Sequence, residues 1–320
     1  AVLQIILIKD IVFIKLFVNV MKIWIGFLLF IYVKENINKI PIRKIVDYST
    51  YLFIISIPIC LVFKNSILWN DSGNLYSKVR LQLFFYEPSA LAYQLTVLTI
   101  FAVYYLFNSK NRKDKRKYVT FIFALSILIY FSKSLTGFLC IAISLASMYI
   151  AYAYQNKSFK ILALNVFTIL LSSLFLFIFL RSNSPISLRL LDVISGNDTS
   201  FSYRLFGGYS VMTNALNNTN LLGIGFGNLN TAQVALNYGN YGLIGVISNS
   251  FMYFITEGGI CAIAYLFFII GYLIKNVHKN KSILKIGLFV FIITTQIPGG
   301  YFTDPMNWII YGIICSKSNL

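Results

Sequence analysis

About nine runs of mainly apolar residues follow one another along this chain, at roughly 11–33, 47–63, 89–108, 118–133, 135–154, 161–180, 245–274, 283–297 and 305–316. A helix needs about 20 such residues to cross the hydrocarbon of a bilayer. Within that layer a helix satisfies its own backbone hydrogen bonds. The pattern therefore predicts an all-α, polytopic transmembrane bundle. Composition points the same way. The 320 residues are 58% hydrophobic and 12% charged, whereas a soluble domain is about 45–50% apolar and about 25% charged. Too few polar side chains remain to cover a water-soluble surface. A soluble enzyme, a disordered chain and a fibrous repeat all fit poorly.

The run 245–274 exceeds one crossing, so its first part is expected in or along the outer interface. The run 305–316 is short for a full span. The chain opens on AVLQIILI, already apolar and without an initiator Met. This reads as one integral membrane domain, 1–320, lacking earlier N-terminal spans; removal of Met before Ala is the plainer alternative. Cys60, Cys140, Cys261 and Cys315 all lie in apolar runs without CxxC spacing, and read as small buried hydrophobes. The single histidine, His278, sits among lysines. No metal site and no cofactor are expected.

The net charge of +17 would suggest nucleic acid in a soluble protein. Here its distribution marks topology, and no nucleic-acid partner is expected. Lys34, Lys39, Arg43 and Lys44 lie in the connection 34–46, and six basic residues lie in 109–117. Lys157 and Lys160 lie in 155–160, Lys275, Lys279, Lys281 and Lys285 in 275–285, and Lys317 after the last run. These are every second connection, which places them in the cytoplasm. The opposite face then receives 64–88, a tight turn near 133–136, a large loop at 181–244, and 298–304. The large loop holds Arg181, Arg189 and Arg204 but no lysine. Arginine's fixed fork of donors suits phosphate or carboxylate, so an anionic ligand is expected at the outer surface.

Polar clusters on that face each allow a plain reading beside a functional one. Arg80 precedes Glu87-Pro88-Ser89 by seven residues. Glu87 and Pro88 make an ordinary helix start, which leaves Arg80 unexplained, and charges at membrane depth usually have a task. Ser132-Lys133-Ser134-Leu135-Thr136-Gly137 is either a turn with a snorkelling lysine or a phosphate cradle at a helix start. Tyr203-Arg204 and Gly208 form either an interfacial helix or an arginine that a backbone or ligand can approach over the glycine. Gly223-Ile-Gly225-Phe-Gly227 lacks the Rossmann spacing and context and reads as a structural turn, with an anion-binding nest the weaker option. Asn249 and Glu257 lie where the large loop returns to the membrane. Glu257 is either packed between helices or functional, since an acid in a span is expensive. Together these clusters suggest an outward site in which Tyr and Asn suit sugars and Arg suits a phosphate.

The ordered set RLQLFFYEPSALA, SKSLTGFL, SYRLFGGYS, NLLGIGFGN and NSFMYFITEGGI resembles the bacterial O-antigen polymerase and ligase superfamily. Within it, the set is most similar to the Wzy-type oligosaccharide repeat-unit polymerases. The resemblance spans roughly residues 10 to 315. It implies a C-type glycosyltransferase fold that uses neither metal nor nucleotide sugar, in the bacterial inner membrane, facing outward. The substrate would be an oligosaccharide on undecaprenyl pyrophosphate, with a flippase and a chain-length regulator as further partners. It implies that Arg80 and Arg204 hold the pyrophosphate, with Glu87 or Glu257 as candidate base. Lys133, Ser134, Arg189, Tyr203, Gly208 and Asn249 would line the substrate site. Ligases carry a His before the Asn-Ser pair, where this chain has Ser248, which favours the polymerase branch. A transporter or flippase would use the same arginines without chemistry, but no internal repeat is visible. A structural or sensor protein would leave the arginine-bearing loop unexplained.

Overall fold

The computed structural model describes residues 2–7, 12–64, 66–74, 77–155, 181–182, 184–229, 247–299 and 304–318. Its elements run in the order α1 (Val2–Leu7), α2 (Phe13–Asn36), α3 (Ile42–Val62), β1 (Trp69–Asn74), β2 (Ser77–Leu81), α4 (Pro88–Asn108), α5 (Arg112–Ser132), α6 (Leu135–Gln155) and α7 (Pro185–Ile194). There follow α8 (Thr199–Ser202), a π-turn (Tyr203–Gly207), α9 (Gly208–Asn218), α10 (Ser250–Asn280), α11 (Ile283–Gln296) and α12 (Pro305–Cys315).

Five of these helices, α2, α3, α4, α6 and α10, are long and apolar enough to cross a membrane. The expected span at 118–133 falls within α5, whose first two turns carry the basic run Arg112–Lys117. The expected spans near 283–297 and 305–316 form shorter apolar helices of 14 and 11 residues. The run 161–180 lies outside the described residues. One feature departs from an all-α expectation: the connection 64–88 contains an antiparallel hairpin of β1 and β2.

The chain divides into two compact units. One comprises Ala1–Asn38, Gly196–Lys281 and Ile292–Asn319; the other comprises Lys39–Ser195, Ser282–Phe291 and Leu320.

In the second unit α4 is the central helix. Burial covers 61% of its most apolar window, against 22% and 28% for α3 and α6, so it is wrapped by protein where they present surface outward. Thr96 and Thr99 are fully buried on it and donate to the carbonyls of Ala92 and Leu95, both at 2.8 Å. Back-bonding of this kind satisfies a hydroxyl that has no water nearby. Gly137 of α6 crosses against Ala92, where an added Cβ would lie 2.5 Å from the alanine methyl; small residues allow such close helix approach. At the lysine-rich end, Arg43 of α3 donates to the Tyr118 hydroxyl at 2.8 Å and pairs with Asp114 at 2.9 Å. Lys117 pairs with Asp47 at 2.6 Å. At the other end the hairpin folds over the helix termini. Leu81 and Leu83 join Leu91, Leu95, Leu125, Leu128, Ile129 and Cys60 in one apolar cluster.

In the first unit α2 packs along α12. Gly26 lies under the buried Trp308 indole, and Gly312 lies against Val33. Helix α10 is 31 residues long and breaks at Gly259, whose φ and ψ are 61° and −146°. The break leaves a two-turn first piece and a second piece long enough to span. This accounts for the excess length of the run 245–274. Cys60, Cys140 and Cys315 are buried as expected, but Cys261, just past the break, is exposed.

Candidate functional site

Two clusters of the expected residues form, one in each unit. In the second unit the hairpin brings Arg80 and Lys133 together. Strand register sets Asn70 opposite Arg80 and Asp71 opposite Val79. Arg80 Nε donates to the Ser132 carbonyl at 3.0 Å, and Lys133 Nζ donates to the Val79 carbonyl at 2.9 Å. The two cations therefore cross-stitch β2 to the end of α5. Lys133 adopts the left-handed conformation at the C-cap of α5, with φ 47°, which ends the helix and starts the turn into α6. Ser134 is buried, and its hydroxyl accepts from the Gly137 N–H at 3.2 Å. It thus serves as an N-terminal turn for α6 in the manner of a helix cap. Ser134 is thus structural, whereas Lys133 is half-buried with its ammonium on a strand carbonyl.

Glu87 lies at the same end of the unit. It occupies the N-cap position of α4 with extended backbone, and its side chain makes no capping bond. Pro88 follows at the first helical position. The carboxylate is exposed. Arg189 lies on α7, whose Ser184 cap accepts from the Ser187 N–H at 3.2 Å; the arginine is half-buried.

In the first unit the arrangement differs. Tyr203 opens the π-turn and is 38% exposed, and Arg204 Nη1 donates to the Pro298 carbonyl at 3.1 Å. Gly208 admits the Ile247 and Met252 side chains, which an added Cβ would meet at 3.1 and 3.4 Å. Its small size thus serves packing of α9 within the protein, where the sequence suggested approach of a backbone or ligand to the arginine. Asn249 is the N-cap of α10, and its side chain accepts from the Met252 N–H at 3.0 Å.

Glu257 is 1% exposed and lies beside the break in α10. A helix broken at Gly259 loses the donors that would serve its upstream carbonyls. The segment 221–229 supplies substitutes as a strap. The Ile224 N–H bonds the Thr256 carbonyl at 3.0 Å, the Gly225 N–H bonds the Glu257 carbonyl at 2.9 Å, and the Ile260 N–H returns to the Leu221 carbonyl at 2.9 Å. Gln4 of α1 adds a further hold, its Nε2 donating to the Leu222 and Glu257 carbonyls at 2.8 and 2.7 Å. The Glu257 carboxylate itself takes the Leu229 N–H at 3.4 Å, with the Gly227 N–H and the Tyr253 hydroxyl as further donors. Gly223, Gly225 and Gly227 all have positive φ, between 74° and 86°, as a close-lying turn of this kind requires. A Cβ at Gly223 would lie 2.5 Å from the Gly259 nitrogen. The Gly-x-Gly-x-Gly segment is thus the structural turn its sequence suggested, and its partner is the helix break.

Among the described residues no three His, Cys, Asp or Glu side chains come together. One residue outside the expected set stands out. Gln296, the last residue of α11, is 1% exposed with both amide atoms unpaired. Its sequence signal is the polar triplet Thr294-Thr295-Gln296 closing an apolar run before Pro298. Comparison of the chain with family models, with curated proteins and with solved structures finds no match.

Proposed function

We propose that this chain polymerises lipid-linked oligosaccharide repeat units by glycosyl transfer at the outer face of the bacterial cytoplasmic membrane. The observation that carries the reading is the pairing of Arg80 with Lys133 over the α5–α6 turn, at the end of the helices opposite the lysine-marked connections. One cation on the hairpin and one at the end of α5, each tied to the other element, suit a pyrophosphate. The arginine-bearing segment around Arg204 supplies a second anion-holding group. The resemblance of the motif set to Wzy-type polymerases supports the reading, and about nine spans with a C-type glycosyltransferase fold belong to the same proposal.

In this mechanism an acceptor hydroxyl oxygen attacks the anomeric carbon of the donor glycan. The bond from that carbon to the pyrophosphate oxygen breaks, and the pyrophosphate leaves with the electron pair. Arg80 stabilises the charge that grows on it, a preorganised electrostatic effect. The hydroxyl proton passes to a carboxylate. Glu87 suits that part better than Glu257, because it is exposed and uncommitted to a cap, whereas the Glu257 carboxylate is buried in its strap.

The break in α10 favours a second reading, a transporter or flippase of lipid-linked glycans, since transporters use discontinuous helices near their sites. The strap argues against it by occupying the Thr256 and Glu257 carbonyls that such a site would use. A deletion strain decides. Loss of a polymerase leaves single repeat units displayed at the surface or on the lipid carrier outside. Loss of a flippase leaves them on the carrier at the cytoplasmic face, and loss of a ligase leaves full-length chains unattached to their anchor.

A further inference from the structure

Gln296 is 1% exposed, and neither Nε2 nor Oε1 has a hydrogen-bond partner. In folded proteins nearly every buried polar atom is paired. Two other described side chains hold an unpaired buried oxygen, Gln4 and Asp47, but each is anchored through its remaining atom: Gln4 Nε2 to two carbonyls and Asp47 Oδ2 to Lys117. Among the described buried side chains only Gln296 leaves both ends of an amide unused. Its place in the fold is specific. It ends α11, two residues before Pro298, whose carbonyl receives Arg204 Nη1 at 3.1 Å. Two residues of chain reach at most about 7 Å, so the unused amide and the arginine flank one short stretch of backbone.

An amide offers two donors and an acceptor. A phosphate supplies acceptors only and would leave Oε1 unpaired. A lipid tail supplies neither. A sugar ring, through neighbouring hydroxyls or an acetamido group, supplies donor and acceptor together. We infer that Gln296 binds a sugar ring of the lipid-linked glycan, beside the anion held by Arg204. This deepens the polymerase reading and rests on it: Arg204 takes the charged part of the substrate and Gln296 the neutral part next to it.

The test is Gln296→Leu, which keeps the volume and removes the amide. It is assayed with purified protein and lipid-linked repeat units in proteoliposomes, beside an immunoblot of the membrane fraction. The expected result is a loss of about tenfold or more in polymerisation at limiting substrate, the scale of one or two lost hydrogen bonds. It should act mainly through KM, with membrane abundance equal to or above wild type. If wild-type protein polymerises and Gln296→Leu polymerises equally well, the amide is served by a buried water and the inference falls while the polymerase reading stands. If wild-type protein does not polymerise, both fall. Should Gln296→Leu fail to reach the membrane, Gln296→Met takes its place. Loss of both variants from the membrane makes the amide structural and overturns the inference.

Discussion

The hairpin-capped end of the second unit and the glycine strap of the first both hold charged residues that the sequence offered as functional. They are built in opposite ways. Arg80 and Lys133 each donate to a backbone carbonyl from partly open positions. These bonds fix the half-buried side chains between β2 and the end of α5. Glu257 is enclosed, and its carboxylate and its own carbonyl are both taken by the strap and by Gln4. The hairpin unit thus holds its charges in half-open positions, and the strap of the other unit uses a buried one to close a broken helix.

The largest effect that separates the two falls at the break itself. Gly259 has φ 61°, and a Cβ there would press on the Leu221 carbonyl oxygen and the Leu222 carbonyl group. Gly259→Ala combines left-handed backbone strain of order 1–3 kcal/mol with overpacking of order 1–3 kcal/mol. Against a total stability of about 5–15 kcal/mol, little folded protein should reach the membrane, as read by immunoblot and by size exclusion in detergent. Glu257→Gln should follow in milder form. The carboxylate accepts from Gly227, Leu229 and Tyr253, and an amide NH2 group turned toward the Gly227 or Leu229 N–H sets donor against donor. Abundance and activity should fall together. Full abundance with activity lost would instead make Glu257 the base and break the comparison.

At the hairpin the effects should appear in activity. If Arg80 holds the pyrophosphate as proposed, Arg80→Ala removes a charge-assisted hydrogen bond of roughly 1.5–3 kcal/mol, which is about ten- to a hundredfold in rate. Arg80→Lys keeps the charge but loses the planar fork, and should still slow the reaction. The measurement is polymer length on a gel beside membrane abundance. Wild-type chain length in Arg80→Ala would remove the hairpin from the site. Glu87→Gln ranks next, with a loss of about tenfold and unchanged abundance, because its side chain makes no capping bond in the fold. Activity equal to wild type would show that the pyrophosphate departs without base assistance.

Sequence reading reached the helices because hydrophobic length is a local property. The ends of α3, α4 and α6 lie within a few residues of the apolar runs, and the basic connections fall between them. Two features were out of reach for a common reason: their partners lie far along the chain. The hairpin is stabilised by Leu81 and Leu83 packing on helices up to 48 residues downstream, as far as Ile129, while Trp69–Asn74 reads as a polar loop. The break at Gly259 looks like two small residues in an apolar run until the strap, over 30 residues upstream, supplies the bonds that the helix gives up. The site was legible as a set of residue types, and less so as a division of labour. Glu87 is exposed and Arg80 and Lys133 are half-buried, whereas Ser134, Gly208 and Asn249 cap or pack helices.

The smallest predicted effect lies at the lysine-marked end and tests whether display of charge alone makes a site. Arg43 and Asp114 pair at 2.9 Å with side chains 52% and 38% exposed, whereas Lys117 and Asp47 pair at 2.6 Å with side chains 26% and 16% exposed. Exposed pairs contribute only about 0–1 kcal/mol, since water and salt screen them. Asp114→Ala should therefore lower the melting temperature by a few degrees at most and leave polymer length as in wild type. Arg43 would keep its bond to the Tyr118 hydroxyl at 2.8 Å, which limits the damage further. Asp47→Ala should cost more, because it strips the partner from a Lys117 ammonium packed against the Tyr118 and Phe121 rings at 5.2 and 5.4 Å. If Asp114→Ala shortened the polymer as much as Arg80→Ala does, charged residues at both ends of the helices would serve the reaction alike, and the hairpin would lose its claim to be the site.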